Sequence, residues 1–166
     1  MKKEHLLIEI EKCYSFKQEL STIIENFNKI IILGNGGSSS IASHISQDYT
    51  KKMNKTCFTF SDPSRLTCYS NDYGYENAYK QFLSEFATKD CLVILISSSG
   101  NSQNILNCAQ WCEDYKIKTV TLSGFDNQNK LNTMDMKSRL LSYWVDSHDY
   151  GIVECAHMVF LHMVVE

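Results

Sequence analysis

Apolar positions along the chain follow two different spacings. Leu6, Ile10, Cys13, Phe16, Leu20, Ile23 and Phe27 recur every three or four residues, and Leu7, Tyr14 and Ile24 widen the same stripe. That spacing predicts an amphipathic helical segment over residues 1–27. Ile30-Ile31-Ile32-Leu33 then breaks the pattern with a continuous aliphatic run, as does Cys91-Leu92-Val93-Ile94-Leu95-Ile96. Runs of this kind predict strands covered on both faces, as in a parallel sheet. Shorter strands are expected at 57–60, 118–122 and 140–145. Helices are expected at 38–53, from a turn at Ser70–Tyr75 to about Phe86, around Ile105, Leu106, Ala109 and Trp111, and at 149–165. Pro63 is expected in a loop, and residues 125–138 in a loop with a short helical turn. Strand and helix alternating over short connections predict the α/β class, a three-layer α/β/α sandwich on a five-stranded parallel sheet.

Composition narrows the function classes. The chain has 166 residues, 43% hydrophobic and 21% charged, which suits one domain over 1–166. A chain of that size buries roughly 70% of its unfolded surface and needs no covalent staple. The net charge is −3 and there is no long basic run, so no nucleic-acid partner is expected. No stretch of apolar residues is long enough for a membrane span, and Met1-Lys2-Lys3-Glu4-His5 lacks a signal-peptide core. A cytoplasmic location is expected. The seven cysteines are odd in number and scattered, which predicts reduced, mostly buried side chains. Cys108 and Cys112 lie one helical turn apart, without a matching Cys/His pair to complete a zinc site.

The candidate chemistry sits where strands end. Gly34-Asn35-Gly36-Gly37-Ser38-Ser39-Ser40 lets the backbone approach a ligand closely and opens a helix whose unpaired N–H groups suit an anion or a polyhydroxylated ligand. It is not a P-loop, because no Gly-Lys-Ser/Thr follows, and Ser stands where a dinucleotide fingerprint needs its third glycine. Ser97-Ser98-Ser99-Gly100-Asn101-Ser102 offers hydroxyls, a flexible glycine and a second helix start, which satisfy phosphate oxygens without a lysine. Either loop alone also reads as a simple turn or cap. Together, beyond the carboxyl ends of parallel strands, they make two walls of one site. His44 and Asp48, spaced i,i+4, suit two metal ligands, a base beside its partner, or a plain surface pair. On the last helix, Glu154 and His157 are one turn apart, whereas eight residues separate Glu154 from His162, about 12 Å of rise. One ion cannot easily take both without long side-chain reach or a contribution from another subunit. Histidines among apolar helical neighbours also read as core residues.

Five colinear stretches resemble the sugar-isomerase (SIS) domain family, most closely its phosphoheptose isomerase branch. They are Gly34-Asn35-Gly36-Gly37-Ser38, His44 with Asp48, Asn71-Asp72-Tyr73-Gly74-Tyr75, Ser97–Ser102, and Ser147-His148-Asp149 followed by Glu154, His157 and His162. The resemblance covers residues 20–166 and implies a flavodoxin-like SIS fold. It implies an aldose–ketose isomerase that converts sedoheptulose 7-phosphate to D-glycero-D-manno-heptose 7-phosphate. Family members are zinc-dependent homotetramers with sites at subunit contacts, so one Zn2+ per site is expected. By the same resemblance Asn35, Gly36, Gly37, Ser38, Asn71, Asp72 and Glu154 line the sugar, and Ser97, Ser98, Ser99 and Ser102 hold the phosphate. His44, Asp48, Glu154 and His162 take the metal positions, with Asp48 and His162 as the proton-transferring pair. Asp48 stands where the family has Glu, Glu154 where it has Gln, and Ile152 where it has Arg. The competing reading is a non-catalytic SIS module that binds a sugar phosphate or a protein partner.

Overall fold

A computed structural model describes residues 2–165. The elements, in order, are α1 (Lys3–Ser15), α2 (Lys17–Glu25), β1 (Lys29–Gly34), α3 (Gly37–Met53), β2 (Thr56–Thr59), α4 (Pro63–Tyr73) and α5 (Tyr75–Phe86). They continue with β3 (Cys91–Ser97), α6 (Gln103–Tyr115), β4 (Lys118–Ser123), α7 (Lys130–Thr133), β5 (Arg139–Trp144) and α8 (Tyr150–His162). The five strands form one all-parallel sheet in the order β2-β1-β3-β4-β5.

The continuous aliphatic runs explain why both sheet faces are covered. Side chains alternate across a strand. Ile30, Ile32, Leu92, Ile94, Ile96, Val120 and Leu122 point into a core shared with α1, α2, α3 and α8. Ile31, Leu33, Cys91, Val93 and Leu95 point into a second core with α4, α5, α6 and α7. Truncating one of these fully buried side chains, such as Ile31→Ala, costs about 2–5 kcal/mol. Cys13, Cys91, Cys108 and Cys112 are buried, Cys57 is half-buried, and all seven cysteines are free, so Cys108 and Cys112 are packing residues.

Three local expectations change. The N-terminal segment is two helices, not one, bent at Phe16, whose ring packs edge-on against Tyr143 and Phe160. Leu7 and Tyr14 point outward, and the inward face instead carries Cys13 and Glu9. Glu9 is held there by Lys12 at 3.4 Å, and its carbonyl accepts from the Tyr143 hydroxyl at 3.3 Å. Pro63 is not in a loop but starts α4: its fixed φ suits a first helical position, and the Asp62 carboxylate accepts from the Arg65 N–H at 2.8 Å. The Ser70–Tyr75 turn reduces to Gly74, whose φ of 78° separates α4 from α5.

Candidate active site

The strand order reverses between β1 and β3, the place where open parallel sheets bind ligands. Gly34 of β1 lies beside Ile96 of β3, so the two polar loops leave the sheet side by side. Gly34 is required by space: a Cβ there would come within 2.6 Å of the Ser38 Cβ and 2.8 Å of its backbone. The Gly34 carbonyl accepts from the Tyr79 hydroxyl at 3.0 Å. One turn earlier on α5, Tyr75 donates to Asn35 Oδ1 at 2.9 Å. The Asn35 amide also pairs reciprocally with that of buried Asn104, at 2.9 and 2.8 Å. These bonds fix the glycine turn to α5 and α6.

The serine loop is braced from behind. Gly100 takes a φ of 64° and donates to the Ser97 carbonyl at 2.9 Å. A Cβ on it would collide with the Asn129 side chain. Asn129 donates to the carbonyls of Gly124 and Asp126 at 3.1 and 2.7 Å, and the Leu131 N–H donates back to the Gly100 carbonyl at 2.9 Å. Ser97 Oγ donates to Ser102 Oγ at 3.2 Å. Ser102 caps α6 through no side-chain bond, so its hydroxyl proton and the N–H groups of Gln103 and Asn104 face the ligand side of that helix start.

Between the two loops lies a cavity of about 230 Å3, closed on the third side by Tyr150 and Glu154 of α8. The Glu154 carboxylate rests against Gly37, the first residue of α3. A larger hollow of about 720 Å3 lies along α2, lined by residues such as Gln18, Ser21 and Glu25. It contains no strand end and no glycine turn. Phe125, just beyond β4, holds a left-handed φ of 57°. Asn54 and Lys116, the other non-glycine residues so placed, end α3 and α6, a role that Phe125 does not have. An aromatic residue in that region costs on the order of 1–3 kcal/mol and persists only where its surroundings fix it.

A second cluster lies two to three turns down α3. His162 Nε2 is 2.9 Å from Asp48 Oδ2, His44 Nε2 is 3.5 Å away, and Lys52 Nζ is 3.4 Å away. The two imidazole rings stack at 5.7 Å. Burial pushes the Asp48 carboxyl up, but Lys52, His44 and His162 together outweigh it and hold the pKa below the usual carboxylate range. His44, Asp48 and His162 each offer a ligand atom within 4.8 Å of the others. Two imidazoles and a carboxylate are a donor set that suits a zinc ion.

Residues 17–124 match the SIS domain family. The chain belongs to that family. Its sequence is 33% identical over 147 residues to a phosphoheptose isomerase of Helicobacter pylori, covering 85% of this chain and 74% of that protein. A phosphoheptose isomerase of Fusobacterium nucleatum is 29% identical over 154 residues, covering 90% and 77%. Among solved structures, a phosphoheptose isomerase from Neisseria gonorrhoeae superposes with a TM-score of 0.83 at 21% identity, covering 96% of this chain and 91% of that one. The flavodoxin-like SIS fold read from the sequence is therefore the fold present.

The SIS fold brings most of the expected residues together, in two groups. Asn35, Gly36, Gly37, Ser38, Ser97, Ser98, Ser99, Ser102 and Glu154 line the cavity. His44, Asp48 and His162 form the cluster. Glu154, expected among the metal ligands, is not in it: the rise of α8 between residues 154 and 162 carries its carboxylate to Gly37 instead. Asn71 and Asp72 do not line the cavity either. They are exposed near the end of α4, with Asn71 Nδ2 donating to Asp72 Oδ1 at 2.9 Å. Sequence reasoning missed Lys52, Asn104 and Tyr150. Only Lys52 left a signal, standing four residues after Asp48 on the same helical face.

Proposed function

We propose that this protein is an aldose–ketose isomerase of sugar phosphates, acting on sedoheptulose 7-phosphate to give D-glycero-D-manno-heptose 7-phosphate. The reading rests on the cavity at the strand-order switch, where serine hydroxyls and two helix starts converge. Phosphate binds the Ser97–Ser102 loop, through hydroxyl and N–H donors and the positive end of α6. Asn35, Gly36 and Gly37 face the sugar hydroxyls. Residues 1–166 act as a single SIS domain.

Isomerisation moves one proton between adjacent carbons through a cis-enediol, with no net redox change. Asp48 is the carboxylate that takes the proton next to the carbonyl and returns it to the neighbouring carbon. His162, in contact with it, protonates and deprotonates the oxygens. His44, Asp48 and His162 would hold a zinc ion, which would supply a Lewis acid for the carbonyl oxygen. A module that merely binds sugar phosphate needs the serine loop, but has no use for this cluster.

The two groups are far apart within one subunit. Eight residues of α8 separate Glu154 at the cavity from His162 in the cluster, about 12 Å. The protein is therefore proposed as a homotetramer in which one subunit's serine loop works with a neighbour's cluster, at contacts that also cover the exposed Asn71 and Asp72. A coupled assay on sedoheptulose 7-phosphate, with and without zinc, tests the activity. Turnover that rises with zinc is expected. Binding of the sugar phosphate without turnover in either condition would leave the non-catalytic module as the correct reading.

A further inference from the structure

Among the described residues Tyr150 is the one aromatic side chain on the cavity wall, in a site otherwise made of glycine, serine, Asn35, Ile96 and Glu154. It is 59% exposed, so burial in the core does not explain its place. It opens α8 one turn before Glu154, which puts both side chains on the same face of the helix. Its ring stands edge-on to Phe125 at 4.8 Å, and Phe125 is stacked on His148 at 5.5 Å. Phe125 keeps its left-handed backbone because its N–H donates to the Ser147 carbonyl at 3.0 Å. Its neighbour Gly124 donates to the Ser98 carbonyl at 2.9 Å. The same short stretch is thus tied to the serine loop on one side and carries the support for Tyr150 on the other. Phe125 also packs against the core shared with α8, so the arrangement sets a flat wall at a fixed distance from the phosphate loop.

We infer that Tyr150 is a specificity-determining residue, whose ring packs along the carbon chain of the sugar phosphate while Phe125 and His148 position it. The inference rests on the reading of the cavity as a sugar-phosphate site. A polyhydroxylated chain presents C–H groups as well as hydroxyls, and an aromatic face covers the former while the phenol oxygen bonds the latter. Inorganic phosphate, held in the loop alone, does not reach the ring.

Calorimetric titration of inorganic phosphate and of five-, six- and seven-carbon sugar phosphates into the protein separates the roles. Tyr150→Ala is expected to weaken the longest sugar phosphate by about tenfold while phosphate binding stays unchanged. Tyr150→Phe should retain most of that affinity. Phe125→Gly removes the supporting ring and relaxes the backbone, and should weaken the sugar phosphate but not phosphate. Phe125→Tyr should restore it. Equal loss of phosphate and sugar-phosphate affinity in Tyr150→Ala, or no loss of either, overturns the inference. If the unmodified protein binds no phosphate, the reading of the cavity itself is wrong and the inference falls with it.

Discussion

The serine loop and the His44–Asp48–His162 cluster are both polar sites beside the same sheet, yet they are built in opposite ways. The loop is contiguous, made of small residues, and held by backbone bonds at Gly100 and by the Asn129 side chain packed against it. Its donors are fixed before any ligand arrives, which suits recognition of a constant group such as phosphate. The cluster is assembled from side chains on α3 and α8, and its geometry depends on how those two helices pack. His44, His162 and Lys52 converge on one carboxylate oxygen, which gathers acid–base and metal-ligating groups at one point. On the proposed function, binding falls to the strand ends and chemistry to the helix pair.

The sharpest way to break that division is to disable each half in a different subunit. Asp48→Asn should lower kcat by about 10²–10⁴, the range of a lost acid–base group, with sugar-phosphate affinity largely kept. Ser99→Ala with Ser102→Ala should do the reverse, raising KM at about 1–3 kcal/mol for each lost charge-assisted bond. If the two halves meet across a subunit contact, subunits exchanged at equal concentration regain about a quarter of the unmodified activity, because that share of sites pairs an intact loop with an intact cluster. No recovery after demonstrated exchange would mean that each cluster serves its own subunit's loop.

The two regions also differ in how far the sequence revealed them. Both glycine–serine loops were legible because their residues are adjacent and follow aliphatic runs. The strands were legible for the same reason, and each continuous run proved to be buried on both faces. From spacing alone the cluster was legible only as two fragments, His44 with Asp48 and a helix carrying two histidines, and the choice of His162 came from the family resemblance. Which histidine joined it depended on the rotation of α8, a property of packing that periodicity leaves open. His157 and His162 show the result: one is fully buried, the other meets Asp48. The start of α4 was missed for a local reason, since Asp-Pro-Ser serves a turn and a capped helix equally well. Phe125 was missed because nothing in its residue type announces a left-handed backbone.

His157 connects the regions by holding α8 to the end of β4. Its Nε2 donates to the Ser123 carbonyl at 3.0 Å, and its buried Nδ1 has no partner among the described residues. Burial holds its pKa down to about 4, against an ordinary value of 6.5. The unfolded chain therefore binds the proton more readily between those values. This contribution to stability is complete above about pH 6.5 and is lost as pH falls toward 4, amounting to about 3 kcal/mol at most. Denaturant unfolding at pH 7, 5 and 4 should show His157→Gln losing less stability with acid than the unmodified protein, because the amide keeps a donor for Ser123 and does not titrate. Parallel pH dependence in the two proteins would show that His157 titrates without affecting folding.

The smallest expected effect concerns Glu154, the residue that decides where one region ends and the other begins. Its carboxylate lies against Gly37 at the start of α3, inside the cavity that is to hold a phosphorylated sugar. The positive end of α3 favours a negative charge at that position, but a phosphate arriving opposite is repelled by it. Glu154→Gln keeps the shape of the side chain and removes the charge. If Glu154 belongs to the cavity, the variant should bind phosphate and sugar phosphate a few-fold more tightly at low ionic strength, with the gain fading as salt screens the repulsion. Zinc or cobalt affinity, set by His44, Asp48 and His162, should stay unchanged in the same variant. Weaker metal binding with no salt-dependent gain for phosphate would instead place Glu154 among the metal ligands, reached from a neighbouring subunit's side of the contact.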